Sequence, residues 1–199
     1  MSVPVSLVEG SATAGLDYVA SAPDTLNFAP GVTELSIDAP VFNELVHEDT
    51  EYAQLVLGSP TGATLAKGTG ELTILDNDPQ PKMAIAHVDQ AEGTGETSIF
   101  MFVAKLSNPS SKVITMTTYT MNLSATGGPN CALIGVDYVS RGPMLITFKP
   151  GETVKPIAIK VCGDNKVEQD EHFALPLNEL TNATVADPQG IGRIENDDM

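Results

Sequence analysis

Residues 15–33, GLDYVASAPDTLNFAPGVT, return at 135–153 as GVDYVSRGPMLITFKPGET, an offset of 120. Compared without a gap, 15–78 and 135–198 share 22 identities in 64 positions, where chance would give only a few. A fixed-offset repeat constrains the fold more than any local pattern, because both copies must build the same supersecondary unit. The chain therefore reads as two copies: 1–78, a linker at 79–82 stiffened by Pro79 and Pro81, and 83–199. The first copy is the shorter. Its residues before Gly15 match only the third strand of the second, so it lacks counterparts of 83–106, its first two strands. Such a copy should leave an open sheet edge, with the backbone of 33–43 unpaired and Leu35, Ile37 and Val41 only partly covered.

Within each copy the apolar period is two. VKPIAIKVC sets Ile157, Ile159 and Val161 against Pro156, Ala158 and Lys160, and EHFALPL alternates Phe173, Leu175 and Leu177. VITMTTYTMNL places Tyr119, Met121 and Leu123 on one face and Thr118, Thr120 and Asn122 on the other. Period-two alternation means one face buried and one wet. No long segment keeps a helical period of 3.6. Strands are expected at 83–90, 97–106, 112–123, 144–148, 153–163, 171–178 and 189–196. Seven short strands with Gly- and Pro-rich turns specify an all-β chain of two tandem immunoglobulin-like antiparallel sandwiches.

The second constraint is charge. Net charge is −16, from 26 acidic and 10 basic residues, with no cluster of Lys or Arg to meet phosphate. Nucleic acid and anionic membrane surfaces are excluded as partners on this ground. DNKVEQDEHF, at 164–173, concentrates Asp164, Glu168, Asp170 and Glu171 around one lysine. Like charges 4 Å apart repel by about 1 kcal/mol in water and several times that near a protein surface. Two readings compete: a solvated turn whose side chains splay apart, and a hard-cation site, since Ca²⁺ takes about six to eight oxygen ligands. Four separate segments of the second copy each bring carboxylates, at 92, 137, 164–171 and 197–198, all strand ends or loops of one expected pole. Anions that converge without a cation would repel, which favours the cation reading.

The motifs AGLDY, F-x-P-G-E-T, D-x-x-x-E-x-D-E-x-F and a terminal DND or NDD, recurring in order, resemble the Calx-β repeat. The resemblance covers 3–78 as a truncated repeat and 83–198 as a complete one. It implies a seven-stranded sandwich that holds Ca²⁺ in the loops at one end in the better-endowed members. Carried over by position, the implied ligands of the second copy are Glu92, Asp137, Asp164, Glu168, Glu171, Asn196, Asp197 and Asp198. Those of the first are Asp17, Glu44, Glu48, Glu51, Asp76, Asn77 and Asp78, with no counterpart of Glu92. Where the best calcium binders carry an unbroken acidic run, this chain has Gly163, Asp164 and Asn165, and NDD replaces three aspartates. Fewer ligand charges imply fewer or weaker ions.

The resemblance further implies a non-enzymatic module of a larger extracellular or cell-surface protein, serving adhesion or cell communication. Its alternatives are a calcium-sensing module of a membrane transporter and a metal-free spacer. Met1 followed directly by SVPVSLVEG reads as a start placed inside a longer protein. Expected partners are calcium ions, other repeats or a protein, and a second molecule completing the truncated sandwich as a homodimer. No P-loop, nucleophile elbow, zinc-protease motif or catalytic Cys/His spacing occurs. With no Trp and 5% aromatics the chain offers little platform for a sugar substrate, so no enzyme is expected. His47, His87 and His172 are scattered and read as surface or strand-edge residues. Cys131 and Cys162 leave free thiols and one disulfide both open. If Asp137 and Asp164 approach one ion, the two cysteines share a pole, within the Cα separation of about 4.4–6.8 Å that a disulfide needs.

Overall fold

A computed structural model describes residues 1–20 and 24–199. Residues 21–23, part of the repeated stretch, lie outside the described residues. The chain divides into two compact units, Met1–Asp78 and Pro79–Met199, with strands and no helix among the described residues.

The first unit holds β1 (Ser2–Glu9), β2 (Thr25–Asn27), β3 (Glu51–Leu57) and β4 (Thr69–Ile74) in one sheet of order β2-β1-β3-β4. Its core is small: Ala12, Tyr18 and Ala53 are fully buried, with Leu7, Ala14, Leu72 and Ile74 packed around them. The segment 33–43 is not a strand. Its one backbone pairing of strand type is the Tyr18–Val41 bridge. Leu35 and Val41 are 39% and 50% exposed, and Ile37 is half-buried. The second unit supplies the reason, because there the matching segment is paired along its whole length.

The second unit begins with β5 (Lys82–Ile85), β6 (Val88–Ala91), β7 (Thr97–Leu106), β8 (Ile114–Thr118) and β9 (Met121–Asn122). It continues through β10 (Gly127–Gly128), β11 (Tyr138–Val139), β12 (Met144–Phe148) and β13 (Val154–Cys162). It closes with β14 (Glu171–Pro176), β15 (Asn178–Thr181), β16 (Thr184–Val185) and β17 (Gln189–Glu195). One sheet runs β10-β11-β13-β7-β5-β16, with β13 antiparallel to β7 from Val154↔Lys105 to Cys162↔Thr97. Opposite it lie β12-β8-β15 and β6-β17-β14-β9. Between the layers Phe173 of β14 stacks on Tyr138 at 4.4 Å and meets Phe102 edge-on at 5.7 Å. The all-β sandwich of the sequence reading is present, with one amendment. Three short pairings, β10–β11, β16–β5 and β17–β6, are parallel.

Expected strands were broken where the chain changes sheet. The 83–90 stretch divides into β5, paired to β7, and β6, paired to β17. The 112–123 stretch divides into β8, paired to β12, and β9, paired to β14. That crossing also corrects the face assignment. Ile114, Met116 and Thr118 are buried, while Tyr119 and Leu123 are 36% and 51% exposed. A single alternation cannot be extended through a strand that leaves one sheet for another.

β1 of the first unit does the work of both β8 and β9. It pairs β2 at one end and β3 at the other, as β8 pairs β12 and β9 pairs β14. SATAG (11–15) therefore aligns with SATGG (124–128), and seven additional residues precede Asp137 in the second unit, Cys131 among them.

Candidate metal centres

The turn that carries Asp17 is closed by its own backbone: Asp17 N–H donates to Thr13 O at 3.0 Å and Gly15 N–H to Tyr18 O at 2.9 Å. Gly15 has φ +85°, a conformation that costs a residue with Cβ. Asp17 Oδ2 then accepts the Thr13 N–H at 2.6 Å, and Asp137 Oδ2 accepts the Thr126 N–H at 2.6 Å. Glu51 and Glu171 are the first residues of β3 and β14, where the acidic loop re-enters the sheet. The outcome is the same in both units. Asp17, Glu48 and Glu51 bring carboxylate oxygens within 4.8 Å of one another, and so do Asp137, Glu168 and Glu171.

That spacing fits one hard cation. Two oxygens each about 2.3–2.6 Å from a shared Ca²⁺ cannot be more than about 5 Å apart. Without a cation the same spacing is costly, and the carboxyl groups respond by holding protons. Burial, then Glu44, Glu51 and Asp17, push Glu48 up to about 7. Burial and the hydrogen bond that protonated Glu51 donates to Asp17 raise Glu51. Burial and the Asp137 hydrogen bond push Glu171 up to about 7.

The second unit adds a further acidic wall. The parallel pairing of β6 with β17 ends at Ala91↔Glu195, which sets Glu92 beside the terminal triplet. Glu92 N–H donates to Glu195 O at 3.1 Å and Gly93 N–H to Asp197 Oδ1 at 3.2 Å. Glu92 is only 6% exposed. Burial, followed by Asp164, Asp198, Asp197 and Asp137, pushes it up to about 7. Asp198 Oδ2 is buried with no hydrogen-bond partner among the described residues. A carboxylate oxygen in that condition leaves a ligand position open.

Other residues expected at these sites have partners of their own. Asn196 Oδ1 accepts the Glu168 N–H at 3.1 Å, so it holds the acidic loop in place. Asp164 Oδ1 accepts the Lys166 N–H at 2.7 Å, and its carbonyl accepts the Gly95 N–H at 2.8 Å. In the first unit Asp76 Oδ2 lies 2.8 Å from His47 Nδ1, and Asp76 Oδ1 accepts the Asp78 N–H at 3.3 Å. Asn77 Nδ2 donates to Asn43 Oδ1 at 3.3 Å. Glu44 and Asp78 line the same cleft as Asp17, Glu48 and Glu51. Asp170 stands outside the cluster, bound to Arg193 Nη2 at 2.6 Å and accepting the Asn196 N–H at 3.2 Å.

Two participants escaped sequence reasoning. Lys166 forms a close ion pair with Glu168, and His47 engages Asp76. Lys166 was the one base inside the acidic run, which was the available signal. His47 left none, because Asp76 is 29 residues away. Cys131 and Cys162 form a disulfide with a Cα separation of 5.3 Å, which resolves the open choice between thiols and a bond.

A family model described as Calx-beta domain matches residues 1–78 and 82–195. Extracellular matrix protein 3 of Lytechinus variegatus is 25% identical over 96% of this chain and 6% of its own length. Sodium/calcium exchanger 2 of Rattus norvegicus is 25% identical over 86% of this chain and 19% of its own length. The chain therefore spans less than a fifth of these relatives. A crystal structure of CBD12 from CALX1.2 covers 97% of this chain and is itself 86% covered, at 18% identity and a TM-score of 0.44.

Proposed function

The chain belongs to the Calx-beta domain family, and from that premise we propose that it is a non-enzymatic, calcium-binding tandem module of a larger extracellular or cell-surface protein. The observation that carries this reading is the recurrence, at an offset of 120, of three carboxylates within 4.8 Å. In the first unit Asp17, Glu48 and Glu51 would hold the ion, with Glu44, Asp76 and Asp78 beside them. In the second, Asp137, Glu168 and Glu171 would hold it, with Glu92, Asp164, Asp197 and Asp198 enlarging the site. Bound Ca²⁺ would supply positive charge that Lys166, the one lysine of the second unit's acidic loop, does not match. The protein's own part is to fix the oxygens: Thr13 and Thr126 orient the aspartates, Asn196 anchors the acidic loop, and β6 delivers Glu92.

The extracellular reading rests on likeness to extracellular matrix protein 3 and on the disulfide, which persists in oxidising compartments. The likeness to a sodium/calcium exchanger supports a second reading, a calcium-sensing module of a transporter. The open edge at 33–43 supports pairing with another repeat or a second molecule of the chain. Calorimetric titration of chelator-treated protein with Ca²⁺ tests the calcium reading. Saturable binding that is weakened by Glu51→Gln and Glu171→Gln, each in its own unit, is expected. No heat in excess of dilution would leave a metal-free spacer.

A further inference from the structure

The two units hold their central aspartates by the same contacts across turns of different length. Thr13 and Asp17 are four positions apart, so the Oδ2 contact with the Thr13 N–H closes a short turn. Thr126 and Asp137 make the matching contact across eleven positions, seven residues more. A longer loop closes at greater entropic cost and holds its end less firmly. Packing does not compensate: residues 132–135 are all exposed, and Ile134 is as exposed as a side chain in an open chain. The backbone closes the insertion at its base, through Asp137 N–H to Thr126 O at 2.9 Å and the β10–β11 pairing, and the bond from Cys131 to Cys162 ties down the part beyond that base.

Cys162 is well placed for that task. Its N–H donates to the Asp137 carbonyl at 2.8 Å, the counterpart of Phe42 N–H to Asp17 O at 2.9 Å. The next residue, Gly163, lies so close to the Glu92 turn that an added Cβ would sit 1.7 Å from Gly93 O, and its N–H donates to Glu96 O at 2.9 Å. Asp164 follows directly. The disulfide thus joins the insertion that precedes Asp137 to the strand end that abuts Glu92 and leads into Asp164. The first unit has Phe42 at this place and needs no bond, because its turn is short.

Resting on the calcium reading above, we infer that the Cys131–Cys162 disulfide is a positioning device for the second unit's carboxylates, so that cation affinity there depends on thiol redox state while that of the first unit does not. In reduction the S–S bond breaks, two electrons and two protons pass from a dithiol reductant to the two sulfurs, and the reductant leaves as its own disulfide. The insertion before Asp137 is then tied only at its base, by the β10–β11 pairing and the Asp137 N–H to Thr126 O bond at 2.9 Å. Groups that orient metal ligands typically change affinity by roughly 10- to 100-fold when lost.

The test uses the full chain carrying Glu51→Gln, so that the first site is weakened and the second can be told apart from it, and the full chain carrying Glu171→Gln for the first. Each is titrated with Ca²⁺ before and after reduction by dithiothreitol, with thiols counted and far-UV circular dichroism recorded. The Cys131→Ser/Cys162→Ser variant is titrated alongside. The expected result is a second-site affinity lowered roughly 10- to 100-fold, in the reduced protein and the double variant alike, with the first site and the spectrum unchanged. A reciprocal measurement needs no variant. Linkage requires Ca²⁺ to make the disulfide correspondingly harder to reduce, by about 30 mV for each tenfold. Equal affinities with both thiols free, or a reduction potential indifferent to Ca²⁺, would overturn the inference. So would loss of the β spectrum on reduction, which would make the bond a support of the whole unit. If the oxidised chain binds no Ca²⁺ at all, the calcium reading itself falls first and this inference with it.

Discussion

Glu48, Glu92 and Glu171 each bind a proton more tightly in the folded chain than an ordinary glutamate does, up to about 7 against 4.5. Between those values the folded state holds more protons than the unfolded state, so metal-free stability must fall as pH rises and level off above about 7. In EDTA the melting temperature should therefore decline from pH 5.5 to 7.5, and millimolar Ca²⁺, which binds the ionised form, should flatten or reverse the trend. A flat EDTA profile would contradict the crowding of these groups. Substitution separates ligands from neighbours. Glu168→Gln should weaken calcium binding by roughly tenfold, or about 1.4 kcal/mol. Asp170→Asn should do less, since Asp170 serves Arg193 and the Asn196 backbone. Glu168 was legible from its place in the repeat. The burial of Glu92 and the orphaned Asp198 oxygen were not, because both depend on how β6 is laid against β17.

At the scale of single elements, the repeat offers paired experiments. A Cβ at Gly190 of β17 would lie 2.5 Å from Ile85 Cγ2 of β5. At Gly70, its counterpart in β4, the nearest neighbour would be Leu55 Cβ at 3.8 Å. Gly190→Ala should thus cost about 1–3 kcal/mol through overpacking, and Gly70→Ala should cost almost nothing, as read by urea denaturation of each variant. Equal costs would mean that β5 does not fill the hollow above Gly190. A second pair concerns backbone pairing. Amides of 154–162, bonded to β7, should exchange slowly with solvent, and those of 34–41 rapidly. Comparable protection in the two segments would show that something covers 34–41 in solution. Both contrasts follow from β5 and β7 having no counterpart among the described residues of the first unit, the absence that the repeat alignment led us to expect.

For the molecule as a whole, a ligand that binds only the folded state adds RT ln(1 + [L]/Kd), or about 2.7 kcal/mol at a hundred times Kd. Calcium should therefore raise the melting temperature at pH 7.5, and identical curves in EDTA and in millimolar Ca²⁺ would refute the proposed site. The open edge of the first unit bears on assembly. Leu35, Val41 and Phe42 are 39%, 50% and 49% exposed on a segment whose strand-type pairing among the described residues is confined to the Tyr18–Val41 bridge, a combination that recruits a further strand. Light scattering should show concentration-dependent dimers. A strict monomer at high concentration would show the edge to be harmless.

By itself the sequence determined the class of fold, the doubling and the position of the repeated carboxylates. Period-two alternation, the 120-residue offset and the position of each carboxylate in the repeat are properties of the chain read along its length. Tertiary structure decided the rest. Tyr119, Met121 and Leu123 kept a perfect alternation yet did not share a buried face, because the chain leaves one sheet for the other after Thr118. Glu92 came to lie beside the terminal acidic triplet only through a parallel pairing of segments distant in sequence. Cys131 and Cys162 met because the insertion folds back on the end of β13. Contacts of that kind cross between layers, and their energies depend on distances that no local pattern carries.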